Sequence, residues 1–188
     1  MKKYLVLVKH SLPEIIGSLP ANKWKLSKEG QARAQRLAEQ LNHYQPEIIV
    51  SSTEPKAAET AEIIARKHHL ELHMIDDLHE HDRSNGTYLS KDEFQASIRE
   101  FFQKPDVLVF GRETANQAHA RFSRAVHSVL NNHINKTVAV VAHGTVISLF
   151  VSRLIGISEL MLWSELGLPS FVVIDLQSNT LIARENNV

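Results

Sequence analysis

Two segments of the chain share one pattern: an apolar run ends directly on histidine, and a small residue follows. One is Leu7-Val8-Lys9-His10-Ser11; the other is Val140-Val141-Ala142-His143-Gly144. Short apolar runs of this kind read as buried strands. In open α/β sheets, ligands bind just outside the carboxyl ends of the strands, so His10 and His143 can face each other across one pocket. Neutral imidazole is a nucleophile and a proton carrier near pH 7. The chain has 11 histidines, and any one taken singly is more often an incidental loop residue. Matching places at two strand ends set this pair apart.

The elements that must hold the pair can be read along the chain. Lys3 to Val8 is a short apolar strand, followed by a loop with Pro13, Gly17 and Pro20. Ser27 offers an N-cap to a helix whose Ala34, Leu37, Ala38 and Leu41 recur at helical spacing. Glu47 to Val50 is a second buried strand, and Pro55 opens a helix to about Lys67, a position that tolerates proline. Leu70 to Ile75 alternates like a strand. Asp76 to Ser90, with Asn85-Gly86, is a loop, and two helices are predicted near Ser90 to Gln103 and Thr114 to His133. Thr137 to Ala142 is a strand, Gly144 to Ile155 a buried helix, and Phe171 to Leu176 and Leu181 to Arg184 are strands joined by a Ser-Asn turn. Strands alternating with helices predict an α/β fold, a mainly parallel central sheet covered by helices on both faces as a three-layer sandwich. Residues 1–188 read as a single domain.

Composition narrows the class. Apolar residues are 43% of the chain, enough for a packed core. Lysine plus arginine and aspartate plus glutamate number 21 each, and this balance argues against a general nucleic-acid or membrane-surface role, which needs a cationic field. The absence of cysteine excludes disulfides, thiolate metal sites and a cysteine nucleophile. The apolar stretch Tyr4 to Val8 is too short for a signal segment or a membrane span, so a cytoplasmic protein is expected.

With these elements in place, the chain resembles the histidine phosphatase superfamily, which includes the phosphoglycerate mutases. Lys9-His10-Ser11 is similar to that family's Arg-His-Gly signature. Leu26-Ser27-Lys28-Glu29-Gly30, with Gln35 and Leu37, resembles its Leu-Thr-x-x-Gly helix start. Ser51-Ser52-Thr53-Glu54-Pro55-Lys56-Ala57, then Thr60-Ala61, resembles its Ser-x-x-x-Arg-Ala-x-x-Thr-Ala block. Leu78-His79-Glu80 is similar to the segment holding the family's acid, Gly111-Arg112-Glu113 to its Gly-Glu-Ser element, and Val141-Ala142-His143-Gly144 to its second histidine motif. Each match is weak alone; their order along the chain carries the weight.

The resemblance implies a phosphoglycerate mutase-like fold, a small phosphorylated substrate (a phosphoprotein included), and no cofactor. It assigns His10 as nucleophile, His143, Lys9, Lys56 and Ser11 as phosphoryl-binding groups, and Glu80 as proton donor and later activator of water. Such chemistry needs positioning and compensation of negative charge. Other groups compete for the role of Glu80 in the same stretch: Glu71, Asp76, Asp77, His79, His81 and Asp82. His79 and His81 are two apart, and no clear third and fourth ligand accompany them, so no metal site is expected. Lys9 and Lys56 stand where the family has arginine; lysine keeps the charge and loses the planar fork that holds two phosphate oxygens. Each exchange weakens transition-state binding by about 1–3 kcal/mol. Three functions therefore compete: phosphomonoester hydrolysis, a mutase-like phosphotransfer, and a phospholigand-binding protein with weakened catalysis. Only about 30 residues separate Glu80 from Gly111, little room for a mutase lid. Trp24 is placed to shape the pocket mouth or to pack against the helix starting at Ser27, and packing is the reading preferred. Arg83 and Arg112 are spare cations, and the apolar residues Met161 to Trp163, Leu166 and Leu168 belong to the core or to a homodimer surface.

Overall fold

In a computed structural model, which describes residues 3–84 and 89–188, six strands form one sheet. The strands are β1 (Tyr4–Lys9), β2 (Ile48–Ser52), β3 (Leu72–Ile75), β4 (Val138–Ala142), β5 (Ser170–Asp175) and β6 (Thr180–Glu185). Their spatial order is β3-β2-β4-β1-β5-β6. β1 pairs with β4, and β2 with both β3 and β4, in parallel; β5 runs antiparallel to β1 and to β6. The sheet is parallel in its centre and antiparallel at one edge.

Six α-helices cover it: α1 (Lys28–Gln40), α2 (Pro55–His68), α3 (Lys91–Gln103), α4 (Ala115–Asn132), α5 (Gly144–Ile155) and α6 (Glu159–Glu165). Strand residues alternate between two cores, as a pleated strand requires. Val6, Val8, Ala139 and Val141 face Leu37 and Leu41 beside α1 and Ala61 and Ile64 of α2. Leu5, Leu7, Val138 and Val140 face Phe101, Phe122, Val126 and Ile147 from α3, α4 and α5. α5 is buried from Gly144 through Ser152, which explains why it is apolar nearly all round.

This layering makes the site. β1 and β4 lie side by side with Lys9 opposite Ala142, and the His10 N–H continues the ladder to the Ala142 carbonyl at 3.0 Å. Yet the helix after β1 packs on one face of the sheet and the helix after β4 on the other. The chain therefore diverges beyond the two strand ends, and a crevice opens where the connections part.

Caps fall where the sequence places them. Ser27 Oγ accepts the Gly30 N–H, and both Ser90 and Thr114 form complete capping boxes. Some boundaries differ from expectation. β2 runs on through Ser51 and Ser52, β3 is confined to Leu72–Ile75, and a short 3₁₀ turn occupies Asp76–Leu78. The apolar patch at Met161 to Trp163 lies on helix α6, whose Leu162 is buried while Met161 is 45% exposed. The Asn85-Gly86 turn lies outside the described residues.

Candidate active site

His10 leaves β1 with its ring 7% exposed. Its Nδ1 lies 2.8 Å from the Ser11 carbonyl, an acceptor only, so Nδ1 carries the proton and Nε2 keeps its lone pair. Burial, and after it the neighbouring His143 and Lys56, hold this imidazole well below its ordinary value. The ring is thus neutral at physiological pH, with the lone pair of Nε2 held in a fixed direction. The tautomer follows from one hydrogen bond that the backbone supplies.

The His143 ring centroid lies 5.2 Å from that of His10. His143 is fully buried, and its Nε2 meets Ser52 Oγ at 2.9 Å. Ser51 of β2 pairs with Val141 of β4, which places Ser52 beside His143. Burial, followed by the charge of Lys56, pushes His143 well below the usual histidine range, with Glu80 opposing. Its Nδ1 is buried without a protein partner and is the atom left to meet a ligand oxygen.

Glu80 enters from the turn after β3. One carboxylate oxygen accepts the His81 N–H at 2.9 Å and the other the Thr145 N–H at 3.2 Å, in the first turn of α5. Burial alone would raise this carboxyl, but His143, Arg83 and the two N–H donors together bring it below the usual range. Of the acids in its loop, Glu80 is the one that reaches the start of α5. Asp76 instead accepts from Thr53, and Asp82 from Ser84.

The remaining sequence-predicted groups are drawn in with partners of their own. The Lys9 ammonium donates to the Leu166 carbonyl at 2.6 Å. Burial, opposed by Glu80, lowers its pKa to about 8. Its Cε would stand 3.1 Å from a Cβ at position 144, which is why a glycine follows His143. Lys56 donates to Glu54 Oε2 at 2.5 Å and to the Ala21 carbonyl at 2.8 Å. The Ser11 hydroxyl donates to the Gly30 carbonyl at 2.7 Å, and its N–H to Thr60. Ser11 thus ties β1 to α1 and α2, and its proton is spent there.

Three contributors carried no role in the sequence reading. Glu54, 8% exposed, accepts the Glu80 N–H at 2.9 Å and lies 3.6 Å from His143 Nε2. Ser52 orients His143. Arg121 of α4 donates to the carbonyls of Asp77, His79 and Glu80 while paired with Glu113 at 2.6 Å, so a guanidinium fork pins the acidic turn. Glu113 itself also accepts the Asp82 N–H, which gives the Gly111-Arg112-Glu113 segment a positioning role.

Above these groups lies a cavity of about 1060 Å³, lined among others by Trp24, Glu54, Lys56, Glu80, Arg83 and Phe94. His10 and His143 are buried and Lys9 is half-buried, and none of the three is among the residues that line it. Of its two expected roles Trp24 takes the one at the pocket: it lines the cavity, its indole N–H donating to the Ile16 and Leu19 carbonyls. The Arg83 guanidinium stacks 4.6 Å over Phe94, whereas Arg112 is exposed. Among the described residues, no cluster of three or more histidine, aspartate and glutamate side chains could hold a metal ion.

Paired strand-end histidines, a buried acid and this fold agree with a family-level comparison. The model of the histidine phosphatase superfamily, branch 1, matches residues 21–187. The chain belongs to this superfamily. Its resemblance to the uncharacterized phosphatase PhoE of Bacillus subtilis is 28% identity over 131 residues, covering 70% of this chain and 65% of that protein. Solved structures of the same fold include a mycobacterial glucosyl-3-phosphoglycerate phosphatase with vanadate, 21% identical, covering 99% and 100% of the two chains with a TM-score of 0.79. A phosphoserine phosphatase from Entamoeba histolytica with phosphoserine is 19% identical over 97% and 96%, also at 0.79. Bacillus stearothermophilus YhfR, 23% identical over 99% and 98%, reaches 0.79 as well. Among the described residues, no helix is long and apolar enough to cross a membrane.

Proposed function

We propose that this superfamily member hydrolyses phosphomonoesters through a phosphohistidine intermediate on His10. The observation that carries the reading is the buried neutral His10 ring, its Nδ1–H fixed on the Ser11 carbonyl and its Nε2 free, facing His143. In the first step Nε2 attacks phosphorus in line, and the bond to the leaving-group oxygen breaks as that oxygen takes a proton through Glu80. In the second, Glu80 takes a proton from water, the oxygen attacks phosphorus, and the nitrogen–phosphorus bond breaks to release phosphate. His143, through Nδ1, and the ammoniums of Lys9 and Lys56 offset the charge on the non-bridging oxygens. Phosphatase names among the relatives support the same reading.

One feature favours a second reading, a phospholigand-binding protein with little turnover: both lysines already have partners, Leu166 and Glu54. Phosphate release from a panel of monoesters separates the two. Hydrolysis requires wild-type release at least a thousandfold above His10→Ala. Equal rates together with measurable phosphate binding would establish the binding protein instead.

A further inference from the structure

Glu54 is a charged group of the site that the mechanism above does not use. It stands at the N-cap of α2 but leaves the cap unfilled and turns its side chain into the pocket. There it spans two levels. It lines the cavity, and it reaches to 3.6 Å from His143 Nε2. A phosphoryl group held by Lys56 comes within reach of this carboxylate, whose other oxygen lies 2.5 Å from the Lys56 ammonium.

The charges facing that position come from four elements. The end of β1 gives Lys9 and His10, and α2 gives Lys56. The turn after β3 gives His79, Glu80 and Arg83, and the junction of β4 and α5 gives His143. Lys56 is matched by Glu54, and Lys9 is opposed by Glu80; Arg83 is stacked on Phe94. A site intended for a dianion would leave its cations uncovered. This one instead sets a hydrogen-bond acceptor beside the phosphoryl position. The resting groups also hold no proton to give, since both imidazoles are pushed towards the neutral form and Glu80 towards the carboxylate.

We propose that Glu54 makes the site selective for the singly protonated phosphoryl group: it accepts the P–O–H of a phosphomonoester monoanion and repels the dianion. The proposal rests on the phosphohistidine reading of the same site and completes its proton balance. The monoanion brings one proton. That proton passes from the phosphoryl oxygen to Glu80 and on to the leaving-group oxygen as the nitrogen–phosphorus bond forms, giving the free alcohol and a phosphohistidine whose dianionic phosphoryl group sits on a positively charged ring that keeps its Nδ1 proton on the Ser11 carbonyl. Monoesters lose this proton near about pH 6, so turnover falls as the substrate becomes a dianion.

Titration calorimetry with inorganic phosphate and sulfate, at about pH 5.5 and about pH 7.5, tests this on the wild type and Glu54→Gln. Sulfate carries no titrating proton in this range, so any protein group that changes charge moves both anions alike. The wild type should bind phosphate severalfold tighter at the lower pH, in step with the fraction of it present as the monoanion, and at least tenfold tighter than sulfate there. In Glu54→Gln, whose amide can donate to a dianion, sulfate should gain at least tenfold. Equal affinities for the two anions in the wild type would overturn the proposal, as would unchanged or weaker sulfate binding in the variant; the wild-type comparison needs no variant to fold. No phosphate release at any pH, with anion selectivity intact, would remove the hydrolase reading alone. Turnover with equal anion affinities would remove the Glu54 reading alone.

Discussion

Replacing Lys9 with methionine should make the protein more stable at neutral pH and poorer at binding phosphate. The ammonium is held beside the Leu166 carbonyl with its pKa lowered from 10.5 to about 8, burial outweighing the favourable charge of Glu80. That fall corresponds to about 3 kcal/mol against the charged form in the folded state. Methionine keeps the stem and removes the charge, but leaves the Leu166 carbonyl without its donor, a loss of about 1–2 kcal/mol. The net gain at pH 7 is about 1–2 kcal/mol, or roughly 0.5–1 M in the urea midpoint. The sign with pH follows from the protons bound. Below about pH 8 both folded and unfolded lysine are charged, and the full cost is present. Between about 8 and 10.5 the unfolded chain holds more protons than the folded one, so the wild type gains stability as pH rises. The advantage of Lys9→Met should therefore shrink above pH 8 and close by about pH 10. Urea unfolding of both proteins at pH 7 and pH 10 measures it, and added phosphate should raise the wild-type midpoint more than the variant's. A variant less stable at pH 7, or a difference constant with pH, would show that Lys9 is a structural cation.

The other perturbations act on neighbouring parts of the site. Glu80→Gln should lower kcat by about 10²–10⁴-fold, more for alkyl than for nitrophenyl phosphates, whose leaving oxygens need less help from a proton. Equal losses on both would take the proton donor's role away from Glu80. Arg121→Lys gives up the fork that holds three carbonyls of the acidic turn and should cost about tenfold in kcat with little change in phosphate affinity, read by steady-state kinetics beside phosphate titration. Gly30→Ala puts a Cβ 2.0 Å from the Leu12 carbonyl oxygen and should destabilise the fold by about 2–3 kcal/mol, seen as a lower urea midpoint.

Much of this was legible in the sequence because strand ends and helix starts are local events. The apolar runs ending at His10 and His143 predicted both the sheet edge and the pair that meets there, and the helical spacing after Ser27 predicted α1. Partners that depend on packing between distant segments were not legible. Lys9 reaches the Leu166 carbonyl across most of the chain, and Ser11 spends its hydroxyl on Gly30. Neither residue type announces such a partner. Arg121 reads as an ordinary polar helix residue until the turn at Asp77 to Glu80 folds against it. Glu54 sat inside a recognised motif and carried no role, because a carboxylate before Pro55 reads first as a helix cap. α6 escaped because seven residues are too few for helical periodicity to show. The antiparallel β5, pairing with β1 through Val6 opposite Val173, is a continuous apolar run buried on both faces, which fits either strand direction.

The central claim is that His10 carries the phosphoryl group. It is met most directly by mixing the protein with a phosphorus-labelled monoester, quenching within milliseconds, and mapping the label under conditions that preserve phosphohistidine. Label on His10 in the wild type, lost in His10→Ala and accumulating in Glu80→Gln, is the predicted result. Phosphate release from the wild type with no label on His10 at any time would contradict it.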